Sequence, residues 1–210
     1  MAADSSIKYE LLVQVGAAAV IGALGYQIAT RLAAHWLPQP KVMSLHSSTQ
    51  HGFSKELQRQ LSLVAGIGID NDCHAGSTVQ HRSRVARDPT QPNLRQVHLI
   101  DISVLEEVGV DPGALGENIT TCNFDVLSCH PGTTLCIGDT VMSVTGLRNP
   151  CEQIEKYRKG LLHQLLRTRD NGTLERRAGI MAVVVRSGTI VAGDEIRVVH
   201  PATRVPMEKV

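Results

Sequence analysis

The chain has 210 residues, enough for one globular domain with a short appendage and too few for two domains of ordinary size. Basic and acidic residues nearly balance at a net charge of +1, so nothing global points to a nucleic-acid polymer, and any polyanion site has to be a local patch. Aromatics make up only 3% of the chain, which removes the stacking platforms that single-stranded nucleic acids use.

The front end differs from the rest. Leu11 to Thr30 carries no charged residue, and about 20 helical residues at 1.5 Å each span roughly the 30 Å hydrocarbon layer of a bilayer. Its alanines and glycines, with Gln14 and Gln27 near the ends, leave two readings open: a membrane anchor, or a helix packed on the domain or a partner. Arg31, His35 and Lys41 follow the stretch, and the positive-inside tendency then keeps the domain on the cytosolic side. Pro38 and Pro40 stop the helix and form a stiff link. The expected division is an N-terminal hydrophobic segment over 1–40, a domain over 41–201 and a tail over 202–210.

Short, β-branched runs dominate after Pro40: Lys41 to Leu45, Gln96 to Ile100, Asn118 to Thr121, Thr134 to Ile137, Thr140 to Thr145, Gly179 to Val185 and Glu195 to Val199. Thr140 to Thr145 alternates as a half-buried antiparallel strand does. Helices are expected at Ser103 to Val108, with Ser103 as N-cap and Glu106 completing a capping box, and around Gly160 to Arg167. Gly132-Thr133 leads to Gly138-Asp139 much as Gly188-Thr189 leads to Gly193-Asp194, and each pair reads as strand, tight turn, strand. The expected fold is mainly β, a closed or nearly closed antiparallel barrel with peripheral helices.

The cysteines at 73, 122, 129, 136 and 151 form no Cys-x-x-Cys pair and follow no secretory cleavage pattern, as expected of reduced thiols in an intracellular protein. Cys73-His74 and Cys129-His130 read as isolated neighbours pointing different ways on an extended chain, which does not supply a structural zinc site. Three runs carry more information: Gly66 to Gly76, Leu115 to Thr121, and Gly146-Leu147-Arg148-Asn149-Pro150-Cys151. With the later Gly193-Asp194 turn, their order along the chain resembles the MOSC family, the domain related to the C-terminal part of molybdenum cofactor sulfurase.

The resemblance covers roughly Lys41 to Pro201 and implies a β-barrel that binds a molybdenum-pterin cofactor, with Cys151 as the protein ligand to the metal. A thiolate suits a soft coordination sphere, Arg148 is a cation close by in sequence, and Pro150 restricts Asn149 and so the direction of Cys151. Glu117 and Asn118 in the Gly116 turn can bond a pterin edge. His74 falls where the family has Gly-Asp-x-His, although the run here reads Asp70-Asn71-Asp72-Cys73-His74. Arg82 and Arg84 form a basic cluster whose guanidinium forks match phosphate oxygens, and Arg177 closes over the cofactor from a basic turn. Arg95 and His98 fit either the same cavity or a strand edge.

The activity implied is removal of an oxygen atom from N-hydroxylated compounds, with electrons from a separate redox partner, since no Gly-x-Gly-x-x-Gly signature for flavin or nicotinamide is present. The alternative is a cofactor or persulfide-sulfur carrier. Pyridoxal phosphate belongs to full-length sulfurases, whose cofactor domain does not fit in this length. A Cys151 side chain sealed beneath aliphatics, with no adjoining hollow, contradicts the whole reading.

Overall fold

The pleat of one strand explains how the molecule is layered. In β5 (Val97–Asp101) every residue is buried, so the strand is covered on both faces. Val97 and Leu99 point into one apolar cluster, and Ile100, on the opposite face, points into another. The first cluster, with Leu45, Ile119, Met142 and Ile180, fills the inside of a curled sheet; the second joins that sheet to helices.

The computed structural model describes residues 38–210. The hydrophobic stretch Leu11–Thr30 therefore lies outside the described residues; among them, no helix is long and apolar enough to cross a membrane. Gln39–Val210 forms one unit.

The strands that open the chain are β1 (Lys41–Ser47), β2 (Glu56–Gln58), β3 (Gln60–Val64) and β4 (Gly68–Ile69). Next come α1 (Arg82–Val85), β5, α2 (Ile102–Val108), β6 (Ile119–Cys122), β7 (Thr134–Ile137) and β8 (Thr140–Leu147). The last third holds α3 (Glu152–Tyr157), α4 (Leu161–Leu165), β9 (Leu166–Thr168), β10 (Leu174–Arg176), β11 (Ile180–Arg186), β12 (Gly188–Val191) and β13 (Ile196–Val199). An eight-stranded sheet runs β13-β7-β8-β11-β5-β6-β1-β2, beside a three-stranded sheet β12-β3-β4 and the ribbon β10-β9. β1 and β13 touch at one bridge, Lys41 with Glu195, reinforced by Val42 N donating to Asp194 O (2.9 Å) and Ile196 N to Pro40 O (2.8 Å).

The molecule is thus mainly β with few helices, and three local expectations need correction. β5 and β6 are parallel, linked through α2, so the sheet is mixed rather than antiparallel throughout. The N-cap of α2 is Asp101, whose Oδ1 accepts from Ser103 N at 3.1 Å and Ser103 Oγ at 2.7 Å; its other oxygen ties down Thr121 and Phe124, which Ser103 is too short to do. The Gly160–Arg167 stretch is helical only to Leu165 and then turns into β9. Both echoed turns are strand, turn, strand as expected: Gly138-Asp139 joins β7 to β8 in a hairpin, and Gly193-Asp194 joins β12 to β13, which lie in different sheets.

Candidate functional site

The run that closes β8 sets up the site. β8 alternates buried and half-buried side chains up to Leu147, which pairs with Ile180 of β11. Arg148 N then donates to Gly179 O at 3.0 Å, Pro150 ends the extended path, and Cys151 becomes the N-cap residue of α3. Gly179 has φ +87°, and any Cβ there would collide with the Leu99 carbonyl, so this close approach of β5 and β11 requires glycine.

Cys151 is exposed on the wall of a cleft of about 750 Å³, not sealed among aliphatics. The cleft is strongly basic: Arg82, Arg84, Arg87, Arg95, Arg148 and Lys156 all line it, against one acidic side chain among the described residues, Glu152. Arg148 is buried; its Nη2 donates to Leu115 O at 3.1 Å, while its Nη1 has no partner. Burial pushes the Arg148 guanidinium below its ordinary value, and Cys151 and Glu117 oppose that shift. An orphaned cationic N–H at such a depth is costly unless something anionic or polar meets it. Arg95 is also mostly buried, which with Arg148 and Arg84 nearby lowers it to about 10; its Nη1 donates to Val210 O at 2.8 Å.

Cys151, Arg148, Asn149, Asn118, His74, Arg82 and Arg84 all come together around this cleft. Asn149 is held by Arg176, whose Nε donates to its Oδ1 at 3.3 Å. Asn118 is buried and spans three elements: its Oδ1 accepts from His98 N (3.1 Å), and its Nδ2 donates to His46 O (3.1 Å) and Asp72 Oδ2 (3.2 Å).

Two expected residues stand elsewhere. Glu117 is fully buried, where its carboxylate accepts from the N–H groups of Gly113 and Leu115 and from Thr120 Oγ1, so it folds its own loop and does not line the cleft. Burial raises it above the ordinary carboxylate range. Gly116 likewise serves the loop, because a Cβ there would lie 2.5 Å from Phe53 O. Arg177 makes a two-pronged ion pair with Glu107 beside a separate hollow lined by Asp101, Phe124 and Arg167. Its neighbour Arg176 is the one that bonds a cleft residue, Asn149.

Other residues of the cleft had no clear signal in the sequence. Lys55 and Asp72 form a buried ion pair, Nζ to Oδ2 at 2.7 Å, with side chains only 4% and 0% exposed. Asp72 also accepts from Ser48 N (3.3 Å) and His74 N (2.9 Å), and despite burial the His74 side chain, Lys55 and the His74 N–H hold its carboxyl far below the usual range. His51 and His81 line the cleft as well, and so do Arg95 and His98, for which the sequence had left cavity and strand edge both open. Cys73 and His74 do not diverge: Cys73 Sγ lies 3.2 Å from His74 Nδ1, because the turn stabilised by Asp72 curls the two side chains together.

The buried histidines give the fold a pH dependence. Burial, then Lys55, lowers His46 to about 4, and burial with Arg148 nearby pushes His98 well below 6.5. His98 Nε2 sits 2.7 Å from Ala178 O, and since a carbonyl only accepts, the neutral ring carries its proton there. As pH falls below about 6.5 the unfolded chain takes up protons at these imidazoles and the folded chain does not, so stability falls by roughly 1 kcal/mol per pH unit for each. Urea midpoints measured at pH of about 7.5 and about 5 should drop accordingly, and equal midpoints contradict the assignment.

Taken together, these features define a mainly β protein with a basic, thiol-bearing cleft at the end of a curled mixed sheet. The MOSC domain family matches residues 93–197, and the chain belongs to this family, which is associated with molybdenum cofactor binding. Among solved structures, the chain is similar to the YuaD protein from Bacillus subtilis (TM-score 0.62, 24% identity, covering 77% of this chain and 96% of that one). It is also similar to YiiM from Escherichia coli (0.54, 18%, 80% and 74%) and YiiM from Geobacillus stearothermophilus (0.51, 14%, 77% and 75%). At these identities the likeness is one of fold. Comparison with curated proteins gives no match.

Proposed function

We propose that the cleft holds a molybdenum-pterin cofactor ligated by Cys151 and that the protein reduces N-hydroxylated compounds there. One observation carries this reading: the exposed Cys151 sulfur shares a basic cleft with the buried, unpartnered Nη1 of Arg148. The residues fit the group. The volume lies within the range of small-molecule sites, a soft thiolate suits the metal, and Arg148 offers a preformed donor to a polar or anionic edge of the chelate.

When bound, the cofactor supplies a metal centre that exchanges two electrons and takes up an oxygen atom. Everything else is the task of the chain. Arg82 and Arg84, at the rim on α1, take the cofactor's phosphate. Arg176 fixes Asn149, and with it the backbone that aims Cys151. Asn118 locks the strands beneath the cleft, and Asp72 holds His74 at its side. In this reading the curled sheet, joined at the Lys41–Glu195 bridge, serves as the family's barrel. The N–O bond of a hydroxylamine breaks, two electrons and two protons are consumed, and amine and water leave; the electrons come from a separate redox partner.

Purified protein bearing the cofactor is expected to convert an N-hydroxylated purine or hydroxylamine to the amine when given an artificial electron donor. Cofactor bound with no turnover across a panel of such substrates favours the alternative, a cofactor or sulfur carrier.

A further inference from the structure

We propose that His51, Cys73 and His74 form a second metal site, for a thiophilic cation such as zinc, in the wall of the same cleft. One ligand atom from each residue lies within 4.8 Å of the others. The Cys73 Sγ to His74 Nδ1 distance of 3.2 Å is already close to the separation, about 3.5 Å, that Zn–S and Zn–N bonds of about 2.3 and 2.0–2.1 Å impose in a tetrahedron. The rings of His51 and His74 stand edge to face with centroids 5.4 Å apart, so His51, exposed on its loop, needs to move by about 1 Å to complete the triad.

The donor set selects the ion. One sulfur and two imidazoles suit zinc and its soft neighbours, whereas magnesium and calcium require oxygen ligands. Asp72 supplies the outer support. Lys55 occupies its Oδ2, which leaves Oδ1 facing the triad, 3.3 Å from His74 Nδ1 and 3.9 Å from Cys73 Sγ. With Nδ1 as the ligand atom, Asp72 acts through its charge and through Oδ1 accepting from His74 N at 2.9 Å, a bond that fixes the turn presenting both side chains. The negative charges of Asp72 and a Cys73 thiolate also offset the cationic lining, which would otherwise repel a dication.

Three protein ligands leave one tetrahedral position open. His51 and His74 both line the cleft, so that position faces its interior and takes water or an anion. The site involves neither Cys151 nor Arg148, and the inference does not rest on the molybdenum reading.

The test is titration of chelator-stripped, full-chain protein with Co²⁺, read by the thiolate-to-cobalt charge-transfer band, followed by displacement with Zn²⁺. About one equivalent is expected to bind with the band present. Cys73→Ser should abolish the band and weaken binding by at least about 100-fold, the upper end of what losing an outer-shell partner costs. His51→Ala, at an exposed position that the fold does not need, should also weaken it, while Cys151→Ser should keep it. A wild-type protein without the band, a band that survives Cys73→Ser, or one that vanishes in Cys151→Ser overturns the assignment.

Discussion

Replacing Asp72 by alanine is expected to destabilise the protein by about 3–5 kcal/mol, the cost of breaking one side of a buried ion pair. The substitution strands Lys55 Nζ, 2.7 Å from the lost oxygen, with almost no access to solvent. It also takes the acceptor from Ser48 N, His74 N and Asn118 Nδ2, three donors that converge from separate loops. Because a domain of this size has a total stability of about 5–15 kcal/mol, the variant should be largely unfolded at moderate urea. Asp72→Asn keeps an oxygen but not the charge and should fall between wild type and alanine. A loss of less than about 1 kcal/mol for Asp72→Ala would mean that Lys55 finds another partner and that Asp72 does not organise this wall.

The same residue shows where sequence reading stops. Strands whose periodicity survives in single letters were legible: Thr140 to Thr145 alternates in sequence and is buried on every second residue in β8. β3 carries the same signal, with Leu61 and Leu63 inward and their neighbours outward, and alternation alone could have found it. By contrast, α3 holds one buried apolar residue, Ile154, and the helix is set by the Pro150 stop and by packing of Ile154 onto the α4 cluster, neither of which leaves a helical period. The parallel pairing of β5 with β6 depends on the crossover through α2, which strand propensity does not encode.

The site divides in the same way. Cys151, Arg148 and Asn149 were legible because they are consecutive in a motif, and contiguous chain delivers them together. Asp72 and Lys55 lie 17 residues apart in irregular chain, and only the fold brings them into contact. Glu117 and Arg177 were expected at the cofactor from the family resemblance and their polarity. One is instead consumed by the backbone N–H groups of its own turn and the other by Glu107. A charged side chain near a motif thus serves the nearest unsatisfied partner first, and the sequence does not show which partner that is.

The largest functional effect is expected at Cys151. Cys151 is exposed and its sulfur bonds Gln153 Oε1 at 3.7 Å, so Cys151→Ala is expected to cost little stability and to leave the fold intact. Under the proposed function it removes the one protein bond to the metal, and Arg148, Arg82 and Arg84 remain to hold the organic part. Molybdenum and pterin content per chain, wild type against Cys151→Ala, in protein produced by a host that makes the cofactor, decides whether Cys151 holds the metal, with urea midpoints as the control for folding. Pterin-bearing wild-type protein is expected, with at least about tenfold less molybdenum in the variant, about 1.4 kcal/mol of lost binding, at an unchanged midpoint. A variant that keeps the wild-type molybdenum content contradicts ligation by Cys151.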